Sequence, residues 1–402
     1  MKKVLRAILF AIFIFSSAFA QEKASTTNTL PIMAWSGMPL EETILERFAE
    51  LKEMGITISL ATYPDAKTMQ KALDLAQKAG IKMVTSCPEL KTETAKTVAL
   101  FKDHPALAGY FLRDEPIRKD FADLGEWAKK ITELDKKHFC FVNLIAAIHP
   151  TKTEALGTSS YAEYIRTFAG EVPVQFISYD FYPVLTDGVH EFWYEGLETV
   201  AAETQKLGRP FWAFALASSY NELHPEPTMA ALRLQQFSNL AYGAQGLEYW
   251  CYWMSSGLRG APIDLNGRRT VVYDRIKAVN SEIKNLAWVF SGAKAISVKH
   301  TGTVIPRGTS RLTELPWAIK VFETEGAGAL VSRLENGGNT FWVVVNRDLE
   351  KSMPLIIYGE RSLKKVLKDG SVVNASRYSH RTELEPGDMA VYMFPTKEKE
   401  SQ

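Results

Sequence analysis

From about residue 30 to residue 290, short apolar runs alternate with longer stretches in which apolar residues return every three or four positions. The runs read as strands buried on both faces, and the stretches as amphipathic helices. Residues 30–35 form the first strand, and residues 39–54 a helix with Ile44, Leu45, Phe48 and Leu51 on one face. A strand at 56–61, a helix capped by Asp65, and a strand at 81–86 follow, with Gly55 and Gly80 closing the two helices. The fourth strand is the apolar run that begins at Ala106 and stops on Arg113, Asp114, Glu115 and Pro116. The pattern then gives a helix through Phe121, Leu124, Trp127 and Ile131, a strand at 139–144, a helix near 161–168 and a strand at 174–182. A helix at 192–207, a strand at 211–217, a helix at 229–242, a strand at 246–252 and a last helix at 271–286 complete the series.

About eight β/α units is the number that closes a barrel, so the spacing predicts an α/β chain folded as a (β/α)8 TIM barrel over residues 30–295. An open doubly wound sheet is the competing architecture. It is disfavoured because the first strand lacks a glycine-rich turn and no P-loop pattern occurs. From residue 296 the texture changes to short β-rich segments at 317–322, 329–334, 340–346, 354–358 and 389–394, separated by turns such as Asn336-Gly337-Gly338. These imply a small all-β antiparallel sandwich over 296–396, followed by a charged tail at 397–402.

Composition narrows the partners. The 402 residues carry 47 Lys and Arg against 46 Asp and Glu, a formal net charge of +1, without the basic surplus that nucleic acid requires. At the N-terminus, Lys2, Lys3 and Arg6 precede an apolar run over 7–15 and the small-residue pattern Ala18-Phe19-Ala20. That is the form of a signal peptide over 1–20, cut after Ala20 and followed by a polar linker at 21–29. No later apolar stretch is long enough to span a bilayer, so a secreted or periplasmic protein without an integral membrane segment is expected. Cys87, Cys140 and Cys251 fall in or at the ends of buried strands and read as small core residues rather than a disulfide framework.

Active sites of β/α barrels lie at the C-terminal mouth of the strands, and there the chain is rich in acids and aromatics. Trp35, Tyr63, Asp114, Glu115, Asn143, Asp180, Tyr182, Trp212, Glu248, Trp250 and Trp253 all fall in or just after strand ends. Flat aromatic faces beside hydrogen-bonding acids suit sugar rings, so an oligosaccharide or polysaccharide is the expected substrate. Glycosidic cleavage needs one protonated carboxylic acid at the leaving oxygen and a second carboxylate acting as nucleophile or as base for water. Glu115 is the candidate acid, held at a strand end by the proline after it. Its partner is Asp180, Glu248 or Glu222, with Asp180 first because its strand also ends on a proline. Asp114, Asn143, Tyr182 and the tryptophans would position the sugar. The seven histidines show no His-x-His or His-Glu-x-x-His spacing, so neither a metal nor another cofactor is expected.

The run Gly109-Tyr110-Phe111-Leu112-Arg113-Asp114-Glu115-Pro116 resembles the strand-four motif of clan A glycoside hydrolases, which commonly ends Asn-Glu-Pro with the glutamate as acid/base. The resemblance implies that role for Glu115. A barrel followed by a β-sandwich is also similar in outline to bacterial clan A enzymes, including family 42 β-galactosidases. Two departures stand out: the clan's asparagine is Asp114 here, and the strand-seven nucleophilic glutamate has no counterpart within residues 211–217. Two other classes therefore stay open. One is a carbohydrate-binding protein that kept the barrel but lost an acid, and the other is a barrel lyase or isomerase acting on a free sugar acid.

Overall fold

The computed structural model describes residues 29–146, 153–257 and 259–396. The proposed signal peptide, most of the linker and the charged tail lie outside the described residues. Strands β1 (Ile32–Trp35), β2 (Ile58–Thr62), β3 (Lys82–Ser86), β4 (Leu107–Asp114), β5 (Phe139–Leu144), β6 (Ile177–Tyr179), β7 (Phe211–Leu216) and β8 (Gly246–Trp250) close into a parallel barrel. β8 pairs with β1 through Leu247 beside Ile32 and Tyr249 beside Ala34.

Several elements differ from the sequence reading. The first helix is Leu45–Glu53, with a separate turn of 3-10 helix at Leu40–Glu42, because Thr43 and Ile44 leave helical geometry between them. The link between β3 and β4 holds two helices, Pro88–Thr92 and Thr94–Phe101, too short to show a full amphipathic period in sequence. β6 keeps only Ile177–Tyr179 of its predicted run, since the chain leaves the sheet before Pro183, which cannot donate to a ladder.

Strand periodicity sorts the barrel interior into layers. Phe139, Phe176 and Trp212 fill the floor, with the Trp212 ring stacked on Phe176 at 4.1 Å between centroids. Gly246 on the neighbouring strand makes room for that indole, since a Cβ there would lie 2.2 Å from it. Two residues further along the strands sit Phe141, Ser178, Phe214 and Glu248, and two further again Asn143, Asp180 and Trp250. The interior thus passes from apolar at the floor to polar at the mouth.

The C-terminal part begins with β9 (Lys294–His300) and adds β10 (Ile319–Glu323), β11 (Ala329–Asn336), β12 (Asn339–Asn346), β13 (Met353–Gly359), β14 (Lys364–Val366), β15 (Val372–Asn374), β16 (Thr382–Leu384) and β17 (Met389–Pro395). A six-stranded antiparallel sheet runs β9-β11-β12-β17-β14-β15, and β10-β13-β16 form a three-stranded sheet. Alternation along β11, β12 and β17 gives the larger sheet two apolar faces. Val331, Trp342, Val344 and Tyr392 pack with the smaller sheet's Met353, Leu355 and Ile357. Leu330, Leu334, Phe341, Val343 and Val391 join the barrel's outer core. Helix Met229–Ala241 lies under that second face and is buried on nearly every side.

Candidate active site

β4 delivers its two acids by two local distortions. Phe111 points into the barrel against Trp35 and Phe141, and Leu112 points outward. Strict alternation would send Asp114 outward as well. A register shift between Phe111 and Arg113 moves it in, so that Asp114 pairs with Asn143 of β5. Glu115 then has φ of 43°, a left-handed conformation costly for a residue with a Cβ, and its amide donates to the Asn143 carbonyl at 2.9 Å. This turn brings adjacent side chains, which a strand would place on opposite faces, onto the same cleft.

That cleft has a volume of about 710 Å³ and is lined at its base by Asp114, Glu115, Asn143 and Asp180. Its walls are aromatic. Trp250 stacks with Tyr182 at 5.8 Å, Tyr220 meets Trp250 edge-on at 5.6 Å, and His224 stacks on Tyr220 at 4.3 Å. Trp35 and Phe214 form the facing wall, and His190, Asn221 and Leu223 complete the rim.

The carboxyls are tied together. Glu115 and Asp180 hydrogen-bond one another. Asn143 Nδ2 donates to Asp114 Oδ1 at 3.1 Å and to Asp180 Oδ2 at 3.2 Å, and the Tyr182 hydroxyl donates to Asp180 Oδ2 at 3.4 Å. Among the described residues, no lysine or arginine lines the cleft. Burial, and then the charges of Glu115 and Asp114, push the Asp180 carboxyl well above the ordinary range. Glu115 is raised by burial and by the Asp114 charge, and Asp114 is raised by burial. Two touching carboxyls without a cation cannot both ionise near neutrality, so the Glu115–Asp180 pair holds one proton between them.

Glu248 lies beneath this layer and does not line the cleft. It is fully buried, and burial holds its carboxyl well above the ordinary 4.5. Ser178 Oγ sits 2.8 Å from Glu248 Oε2 and 3.1 Å from Asn143 Oδ1. A hydroxyl has one hydrogen, so both contacts are satisfied when neutral Glu248 donates to Ser178 and Ser178 donates to Asn143. That chain fixes the Asn143 amide with its two N–H bonds toward Asp114 and Asp180. A carboxyl protonated in the fold but ionised in the unfolded chain lowers stability progressively as pH rises above its ordinary value. Glu248→Gln removes this slope, and its melting temperature relative to wild type is expected to climb between about pH 5 and about pH 9. A constant difference across that range would show that Glu248 is already ionised in the fold.

Of the other residues singled out from sequence, Trp35, Tyr182 and Trp250 line the cleft, whereas Tyr63, Trp212 and Trp253 do not. Trp212 belongs to the barrel floor. Tyr63 is 5% exposed in the shell between barrel and helices, and Trp253 packs under the Arg47 guanidinium at 4.9 Å. Glu222 points to solvent beside Arg259. Sequence reasoning missed Phe214, His190, Tyr220, Asn221 and His224. Phe214 was legible as the inward neighbour of Trp212 along β7, while the others sit on loops whose course no periodicity reveals.

No family model matches the sequence, and neither does any curated protein. A solved protein of glycoside hydrolase family 5 from Bacteroides vulgatus aligns over 91% of this chain and 89% of its own, at 11% identity and a TM-score of 0.57. The chain has the fold of a family 5 glycoside hydrolase. Solved β-galactosidases from Marinomonas ef1 and Halorubrum lacusprofundi each align over 64% of this chain, at 12% and 14% identity and TM-scores of 0.46 and 0.47. This chain spans 60% and 58% of their respective lengths. No helix of the described residues is long and apolar enough to cross a membrane.

Proposed function

We propose that the protein is a secreted or periplasmic glycoside hydrolase that cleaves a glycosidic bond of an oligosaccharide or polysaccharide at the barrel mouth. The observation that carries this reading is the Glu115–Asp180 pair, two hydrogen-bonded carboxyls raised above their ordinary range by burial and held under aromatic walls without a neutralising Lys or Arg in the described cleft lining. An acid that stays protonated near neutrality is what a leaving alkoxide oxygen needs. Glu115, exposed to the cleft, delivers the proton. Asp180, 8% exposed, acts as its reservoir through their hydrogen bond. Trp35, Tyr182 and Trp250 offer ring faces to the sugar, and Asn143 holds the acids in register.

Activity should persist while the pair retains its proton and fall as pH rises through its last ionisation. Asp180→Asn leaves Glu115 as a single acid facing an amide donor, which favours its charged form. The alkaline limb of the kcat/KM profile is therefore expected to move to lower pH, and an unmoved limb would remove Asp180 from the proton store. One observation favours a second reading: apart from Asp114 and the Asp180 bonded to Glu115, the described cleft lining includes no other Asp or Glu. A glycan-binding protein on a glycosidase-like barrel would show saturable binding without any new reducing end.

A further inference from the structure

Displacement at an anomeric carbon places the attacking atom and the leaving oxygen on opposite faces of the sugar. Enzymes that supply both groups hold their carboxyls about 5–5.5 Å apart for a covalent intermediate, or about 6.5–9.5 Å apart for an attacking water. The Glu115–Asp180 pair matches neither arrangement. The Glu115 and Asp180 carboxyls touch, and a sugar ring cannot stand between groups that hydrogen-bond each other. Asp114 is the next residue in the chain and is linked to Asp180 through one Asn143 amide. Glu222 has a side chain 91% exposed beside Arg259, and Glu248 is sealed below the floor of the cleft. Among the described residues the cleft lining includes no further Asp or Glu, and residues 147–152 contain none in sequence.

With Glu115, Asp180 and Asp114 linked in one cluster, we infer that the substrate supplies the second group: the cleft takes a 2-acetamido sugar glycoside, whose acetamide oxygen attacks the anomeric carbon while Asp114 holds the amide N–H. This deepening rests on the hydrolase reading above. Asp114 suits the task because it faces the cleft and stands outside the Glu115–Asp180 hydrogen bond. A lining that presents three carboxyls suits an N–H donor better than an anionic sugar. In the first step the acetamide oxygen forms a bond to the anomeric carbon as the glycosidic C–O bond breaks. The Glu115 proton goes to the leaving oxygen, and a protonated oxazoline remains against Asp114. In the second step water adds to the anomeric carbon, its proton returns to Glu115, the C–O bond of the oxazoline opens, and the acetamide is restored. The sum is glycoside plus water giving sugar plus alcohol, with retained configuration.

The test uses the full mature chain with 4-nitrophenyl glycosides of 2-acetamido-2-deoxyglucose and 2-acetamido-2-deoxygalactose in both anomers, their 2-hydroxy counterparts, and chito-oligosaccharides. Binding of the bicyclic thiazolines of glucosamine and galactosamine, which mimic the oxazoline, is measured in parallel. The expected result is Glu115-dependent turnover confined to acetamido substrates, slowing with each fluorine placed on the acetyl group. Asp114→Asn should reduce kcat/KM about 100-fold and weaken thiazoline binding. Glu115-dependent turnover of the 2-hydroxy glycosides at comparable rates would overturn the inference and leave the hydrolase reading standing. No turnover of any substrate together with no thiazoline binding would overturn both. Thiazoline binding unaffected by Asp114→Asn would overturn the role of Asp114.

Discussion

Glu115→Gln is expected to lower turnover by about 10²–10⁴-fold while leaving the melting temperature and glycan affinity close to wild type. The amide is nearly isosteric with the carboxyl, so the side chain keeps its volume and its place in the cleft. The backbone constraint is also unchanged. Gln has the same Cβ as Glu, and the left-handed turn at this position is held by the residue 115 amide bonded to the Asn143 carbonyl. What disappears is the transferable proton. Asp180 loses its hydrogen-bonded acid partner but gains an amide in the same place, so the site remains hydrogen-bonded. Turnover at the wild-type rate would remove Glu115 from the mechanism, whereas a collapse in stability would show that the residue holds the β4 turn rather than performing chemistry. Thermal melts and initial rates on one preparation separate these outcomes.

The second large effect is expected at Asn143, which is 1% exposed and has both its amide hydrogens and its oxygen engaged. Asn143→Leu keeps the bulk and removes every one of these bonds, leaving Asp114, Asp180 and Ser178 without this shared partner. The loss should be about 2–3 kcal/mol of stability, with activity reduced at least about 100-fold because the carboxyl pair loses its register. Asn143→Asp is the sharper probe. Its shape is unchanged, but it places an acceptor where two carboxyls need a donor. The folded-state pKa of the introduced carboxyl must rise, so the stability deficit grows with pH and shrinks in acid, where that carboxyl is protonated and can still donate. A pH-independent deficit matching that of the leucine variant would show that Asn143 acts through packing alone.

The barrel was legible because its signal is redundant: each β/α unit repeats the same alternation of apolar run and amphipathic stretch, closed by residues such as Gly80 at φ of 72°. Where the signal was short, it failed. The helices after β3 and the small β-strands around residues 364–374 hold too few residues to display a period.

The candidate site was legible in its acids and less so in its aromatics, for a geometric reason. A residue at a strand end announces its position, so Asp114, Glu115 and Asp180 were found. Trp212 and Trp250 each lie in a strand and point inward, yet one lies at the barrel floor and the other at the mouth, separated by their height along the strands. The inward triplets Phe139-x-Phe141-x-Asn143 and Gly246-x-Glu248-x-Trp250 carry that height in plain sequence. Applied strictly, the same period-two count places Glu248 below the cleft. It does not reveal the contact between Glu115 and Asp180, which depends on a bulge and a left-handed residue that no pattern of polar and apolar positions encodes.

The most direct test of the account is oxygen-18 incorporation. The mature protein is incubated with a mixed glycan pool in H₂¹⁸O, quenched by reduction before anomeric exchange, and the new reducing ends are weighed by mass spectrometry. A glycoside hydrolase working through Glu115 predicts labelled ends with wild type and none above background with Glu115→Gln. Equal labelling by the two proteins, or none by either across the pool, would contradict it.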